Sequence, residues 1–365
     1  MILFNVVNLN CMNKICKSLK MNHSSYELIA RKVWGIMGQV FVKFLIWLSQ
    51  VSIFIGTFLL TSEMMHNFLC GDDETYTTCL SKYKVNFMLS LFSLIIATIP
   101  SYKTFSYIIS LAILVMFISL FMVSSNSIAM IAQKTDPQMV LGRETFLFEV
   151  EELPQSLGVL LYAFEGISMY MPLRKTYYKK TNFHSFYIGA MVFISLGIFA
   201  VNVPNYYNFY DITKEIIFLN FNNKFMILYL LKIVYMFMIF LSNPINLFPI
   251  YRSISEMSNI QALFERKSKS FIAVFKFTMR MLVTLLCILV ACAIPSFIGF
   301  ISFAGSFFFS LLGIVIPTLL YISHFSNIKK LGVLDGIVKG IMLILSMTLF
   351  CISVGFSFKS LISNK

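Results

Sequence analysis

Charge is what this sequence has least of. Only 12% of its 365 residues are Asp, Glu, Lys or Arg, about half the share of a soluble domain. So little charge cannot coat a globule of this length, and 58% apolar residues with a mean hydropathy of +0.81 agree. A soluble protein is excluded. The 39 Phe and 17 Tyr exclude a disordered tail. Acids are scarcer than bases, 16 against 29, for a net charge of +13. The bases lie between apolar runs and not in one patch, which argues against a nucleic-acid surface. The seven Cys include no CxxC pair and no metal spacing. The four His (His23, His66, His184, His324) fall in loops or at the ends of apolar runs, with no cluster for a metal or for acid–base chemistry. No Ser–His–Asp order, P-loop or Gly-rich nucleotide motif appears. Catalytic residues, metal ligands and cofactors are therefore not expected, and an enzyme is disfavoured.

What is present is a series of long apolar runs with short polar breaks. They cover 40–61, 86–101, 106–131, 155–173, 186–204, 225–250, 271–294, 297–323 and 337–358. A helix needs about 20 such residues to cross about 30 Å of hydrocarbon. The second run is short, because Pro100 and Lys103 end it early. Strands of a membrane barrel alternate in pieces of about ten residues, and LIWLSQVSIFIGTFLL (45–60) does not alternate. The expected fold class is an all-α polytopic membrane protein with nine spans. The first residues do not form a signal peptide: MILFNVVNL is a short apolar run with no basic residue before it. The chain divides into a cytosolic N-terminal segment, 1–39, and a transmembrane domain, 40–360.

The positive-inside rule tests this count. With 1–39 in the cytosol, nineteen of the 29 basic residues fall on cytosolic segments, among them Lys14, Lys17, Arg174, Lys175, Lys179, Lys180 and Arg280. Eight fall outside, and Lys232 and Lys339 lie within spans. Eleven of the 16 acids fall outside. A missed or extra span would scramble this asymmetry.

One carboxylate lies well inside a span: Glu165, in LLYAFEGISMYMPL (160–173). A charge at mid-membrane costs at least about 2.5–3.5 kcal/mol on insertion scales, so such a residue is a functional-site candidate. Gly158, Gly166 and Pro172 interrupt the same helix. Broken helices in transporters expose backbone groups to substrate or ions. A Glu bonded to a neighbouring helix is the structural alternative. Asn243 and Asn246 accompany Pro244 and Pro249 in LSNPINLFPIYR (241–252), and Pro244 frees a helix carbonyl. In SFIGFISFAGSFFFSLLG (296–313), Gly299, Ala304, Gly305 and Ser306 form a small-residue face suited to close helix packing. Ser302, Phe303 and Gly305 there also suit a cavity lining. Ser49 and Gln50 are polar in mid-span. Cys70 and Cys79 flank one outer loop, where a disulfide and two free thiols are both open readings.

Four stretches together resemble the amino acid/auxin permease family, eukaryotic amino acid transporters with a LeuT-like fold. SSYELIARKVWGIMGQ (24–39) resembles the stretch before the family's third helix. LPQSLGVLLYAFEGISMYMPL (153–173) resembles its sixth, NPINLFPIYRSISE (243–256) the end of its eighth, and FISFAGSFFFSLLGIVIPTLLY (300–321) its tenth. By that resemblance the chain aligns from the third of eleven helices onward, and residues 1–20 are the remnant of the second. The resemblance implies a LeuT-like bundle and secondary active transport of an amino acid by alternating access, coupled to H⁺ or Na⁺. Substrate would sit against Ala163, Phe164, Glu165, Gly166 and Ser168, with Asn243, Ser302, Phe303 and Gly305 contributing. Glu165 would carry a coupling proton if burial raises its pKa. The implied location is a plasma membrane or a vacuole-like organelle membrane, with a cytosolic N-terminus. A non-transporting amino acid sensor, or an inactive truncated transporter, is the alternative.

Overall fold

A computed structural model gives the fold. It describes residues 2–19, 25–70, 81–99, 102–133, 153–164, 170, 174, 183–209, 213–221, 226–257, 260–261, 264, 267–328 and 332–363. The described residues are helical throughout, joined by short turns, with no strand among them. In chain order the helices are α1 (Ile2–Ser18), α2 (Tyr26–Cys70), α3 (Lys82–Ala97), α4 (Tyr102–Gln133), α5 (Leu153–Phe164), α6 (Phe183–Phe209), α7 (Met226–Ser242), α8 (Phe248–Ser255), α9 (Lys269–Ala293), α10 (Phe297–Ala304), α11 (Ile316–Asn327) and α12 (Val333–Ser363). A 3₁₀ turn, Asn243–Leu247, joins α7 to α8. Two π-helical turns, Gly305–Phe309 and Leu311–Val315, join α10 to α11.

Each of the nine apolar runs coincides with helix. Among the described residues, seven helical stretches are long and apolar enough to cross a membrane. The other two runs are shorter helices, α3 and α5. α3 stops at Ala97, three residues before Pro100, whose ring disfavours helix in the residue before it. Their outward faces are apolar. Phe117 and Phe121 on α4, Phe193 and Phe199 on α6, and Leu285 and Leu289 on α9 are all exposed. Contiguous exposed apolar surface of this kind requires lipid rather than water around it. The protein is a multi-pass helical membrane protein.

Local chemistry explains several helix ends and breaks. Ser268 caps α9, its hydroxyl accepting the Phe271 amide at 3.3 Å, one of the orphan donors of a helix start. Gly35 interrupts α2 at φ 76. A Cβ there would meet nothing within 4 Å, so the glycine serves backbone conformation and not space. In α6, Pro204 removes an amide from the ladder, and the Asn205 side chain donates to Val201 O at 2.7 Å.

The chain packs as two compact units. Unit 1 holds 1–49, 148–197 and 298–365; unit 2 holds 50–147 and 198–297. In unit 1, α1 packs on α11, and α5 on the first π turn and α12. Its core joins Leu9, Met12 and Ile15 of α1 to Tyr26, Ile29, Leu312, Ile316 and Leu320. The first residues thus form a buried helix. In unit 2, α4 packs along α7, and α3 on α9. A smaller core there gathers Met64, Val123, Ile216, Phe218 and Phe221.

Candidate functional site

In unit 1, α5 carries the first of the proposed site residues. Phe164 ends it and is 7% exposed, and Ala163 is exposed. Glu165, Gly166 and Ser168 lie outside the described residues, as do Gly166's companion breaker Pro172 and the loop cysteine Cys79. α5 is seated directly on α10 and the first π turn. A Cβ built on Gly305 would lie 1.9 Å from the carbonyl oxygen of Gly158 and 2.8 Å from the Tyr162 amide nitrogen. A Cβ on Gly158 would lie 2.4 Å from Ser302 O and 2.6 Å from Ser306 Oγ. The two glycines therefore let backbone meet backbone, as small residues do in membrane helix pairs. Ser302 Oγ donates to Gln155 O across the crossing at 2.9 Å. Tyr162 presents its ring edge-on to Phe309 at 5.1 Å. Phe303 stacks on Phe307 at 5.8 Å.

The small-residue face at 299–306 was thus legible as a packing face, while its partner, Gly158, was legible only as a helix interrupter. The π turns had no sequence signal. A π turn gains one residue per turn and is frequent at functional positions. Ser306 Oγ, fully buried in the first of them, has no hydrogen-bond partner.

Asn243 belongs to unit 2. It opens the 3₁₀ turn between α7 and α8, next to Pro244, and is fully buried. Its Oδ1 is bonded to Thr57 Oγ1. That hydroxyl also lies 2.9 Å from Ile53 O and 3.0 Å from Phe54 O. One proton cannot serve three acceptors. The consistent arrangement turns the carboxamide, so that Nδ2 donates to Thr57 and Thr57 donates to a helix carbonyl; O and N of an amide are assigned, not observed. In either orientation one end of the Asn243 amide has no protein partner. Thr57 was missed by the sequence reading. Its signal was the recurrence of Gln50, Thr57 and Thr61 on one helical face of α2.

Other polar groups of unit 2 are paired. Lys232, 6% exposed, donates to Asn67 Oδ1 at 3.3 Å. Lys82 and Glu63 form an ion pair at 2.7 Å. Glu215, outside the spans, has its carboxyl held above the ordinary range by partial desolvation, then by Glu63, with Lys82 opposing. Cys70 is disulfide-bonded. Among the described residues no group of three His, Cys, Asp or Glu is placed to hold a metal.

A family model for transmembrane amino acid transporter proteins matches residues 1–362. The chain belongs to this family. Its relatives include the amino acid transporter AVT3C of Arabidopsis thaliana, 24% identical over 349 residues that cover 90% of this chain and 74% of the relative. AVT3A of the same plant is 25% identical over 83% of this chain and 67% of its own length. Vacuolar amino acid transporter 3 of Schizosaccharomyces pombe is 28% identical over 164 residues, 44% of this chain and 24% of the relative. Membership in a transporter family accords with a polar interior built without catalytic or metal clusters among the described residues.

Proposed function

We propose that the protein is a secondary active amino acid transporter of a vacuolar membrane, working by alternating access and coupled to H⁺ or Na⁺. The observation that carries this reading is the family match along 1–362. The seating of α5 on α10 supports it, because it fixes the helix that leads into Phe164 and Glu165. In this reading Ala163, Phe164, Glu165, Gly166 and Ser168 hold the substrate, and Phe303 lines the site. Ser302 and Gly305 act through α5, by setting where it lies. Glu165 carries the coupling proton. Asn243 offers the free end of its carboxamide to a ligand from the 3₁₀ turn of unit 2.

The vacuolar location is supported by the printed name of the fission-yeast relative. The orientation is supported by the basic residues and by Cys70, whose disulfide suits an oxidising side. That side then holds the segment after α2, and the N-terminus is cytosolic.

The test is uptake of labelled amino acids into vesicles containing the purified chain, with Glu165→Gln measured beside it. Uptake that collapses with the proton gradient and is lost in Glu165→Gln is the expected result. Unchanged uptake in the variant removes Glu165 from the mechanism. Binding of an amino acid without flux makes the protein a sensor instead.

A further inference from the structure

Arg174 is 8% exposed, yet none of its partners among the described residues carries negative charge. Its Nη1 donates to Asn13 Oδ1 at 3.1 Å, and the guanidinium also hydrogen-bonds the Tyr170 hydroxyl. Tyr170, fully buried, is bonded in turn to His184 Nδ1 at 3.1 Å, and His184 Nε2 to Asn10 Oδ1 at 2.8 Å. With Nε2–H donating to Asn10, Nδ1 accepts from Tyr170, and the ring is neutral and satisfied. The charged groups near enough to act on His184 are Arg174 and Lys17, both cationic. Asn10, Asn13 and Lys17 recur at three and four residues, one face of α1. The sequence supplies no acid to this place from either side: there is none in 1–26 and none in 166–210.

A buried cation without a counter-charge is costly, and proteins pair it or bind an anion. The cluster has the donors for one: the remaining guanidinium N–H groups, the exposed Lys17 ammonium, and the His184 edge. Arg presents a planar fork that matches phosphate oxygens two at a time. The position narrows the source. His184 is the second residue of α6, whose next turns expose Phe186 and Phe193. A charged cluster at the mouth of an apolar outward face lies at the depth of lipid headgroups, and basic pockets at helix ends on the cytoplasmic side hold anionic headgroups.

We propose that Arg174, Lys17 and His184 form a binding site for a phosphate-bearing anion, and that its occupant is the phosphorylated headgroup of a membrane lipid whose tails cover the start of α6. The site lies apart from the α5–α10 crossing and is independent of the transport reading.

The experiment follows thermal unfolding of the purified full chain in detergent. Three additives are titrated: a short-chain phosphatidylinositol phosphate, the diacylglycerol with the same tails, and inorganic phosphate. The phosphorylated lipid is expected to raise Tm by several degrees and the diacylglycerol to leave it unmoved. Lys17→Gln, an exposed position, is expected to raise the half-saturating concentration about tenfold, the order of one charge-assisted hydrogen bond. Arg174→Lys, which keeps charge and loses the fork, is expected to do the same. Lys14→Gln, on α1 beside the Tyr321 ring and away from Arg174, is expected to leave it unchanged. Inorganic phosphate matching the lipid at equal concentration upholds the phosphate site and overturns the lipid as its occupant. An equal response to diacylglycerol, or half-saturation that neither Lys17→Gln nor Arg174→Lys moves, overturns the proposal.

Discussion

The two units hold their helices together by opposite means. In unit 1, α5 meets α10 through Gly158 and Gly305, where a carbonyl oxygen occupies the very space of a side chain. In unit 2 the contacts run through polar side chains: Thr57 with Asn243, Ser62 with Asn86, Ser127 with Asn205, and Tyr251 with Thr284. Within lipid there is no hydrophobic drive between helices, so dispersion at close approach and interhelical hydrogen bonds are what remain. The first device tolerates no added atom. The second tolerates change, because each pair contributes only about 0.6 kcal/mol on average in a membrane. The comparison teaches that the unit carrying the proposed substrate helix is the one with a fixed seat.

The largest effect is expected from Gly305→Ala. Its methyl has nowhere to go but into the Gly158 carbonyl, so α5 must move, at a cost of about 1–3 kcal/mol or more. Thermal unfolding in detergent should fall by several degrees and vesicle uptake should be lost. Gly313→Ala, eight residues on, meets nothing within 4 Å and should behave as the parent. Equal behaviour of the two variants would break the comparison.

A middle-sized effect is expected from Thr57→Val in unit 2. It removes the one hydroxyl bonded to the buried Asn243 amide, and an orphaned buried amide costs about 1–3 kcal/mol. Adding Asn243→Leu should recover part of the loss, because both partners are then apolar. A double-mutant cycle on the four proteins reads the coupling directly. Additive losses would show that the pair does not interact.

The smallest effect belongs to pH. Glu215 has a raised carboxyl pKa in the folded state, through desolvation first and Glu63 second. The folded protein therefore holds that proton more tightly than the unfolded chain. Its contribution is fully present below the ordinary value of 4.5 and is lost as pH rises through the raised value. Unfolding measured from acid to neutral pH should show a slight decline, which Glu215→Gln flattens.

Much of the fold was legible. Length and hydropathy marked every span, since lipid leaves the backbone few alternatives to helix. Pro100 announced the short α3, and Pro244 the break before α8. Partner choice was not legible. Gly158 and Gly305 lie far apart in sequence, and no periodicity says that they touch. α1 was read as a cytosolic stretch because MILFNVVNLNCMNK mixes Asn with apolar residues. Its Asn8 is in fact buried, accepting from Thr318 at 3.0 Å. The Gly35 break also escaped notice, since a glycine in an apolar helix signals close packing as readily as a positive φ.

The paired π turns between α10 and α11 have a consequence for a single membrane-crossing rod. An α-helix advances about 100° per residue, so each wider turn re-aims everything beyond it. Ahead of these turns the rod presents Ser302 and Gly305 to α5; behind them it presents Thr318 and Tyr321 to α1 and α12. Two neighbours that a uniform winding would set on mismatched bearings are thereby both served by one continuous stretch of chain. Deleting a residue from 305–315 would restore ordinary winding and swing the far half off its bearing by roughly a quarter revolution.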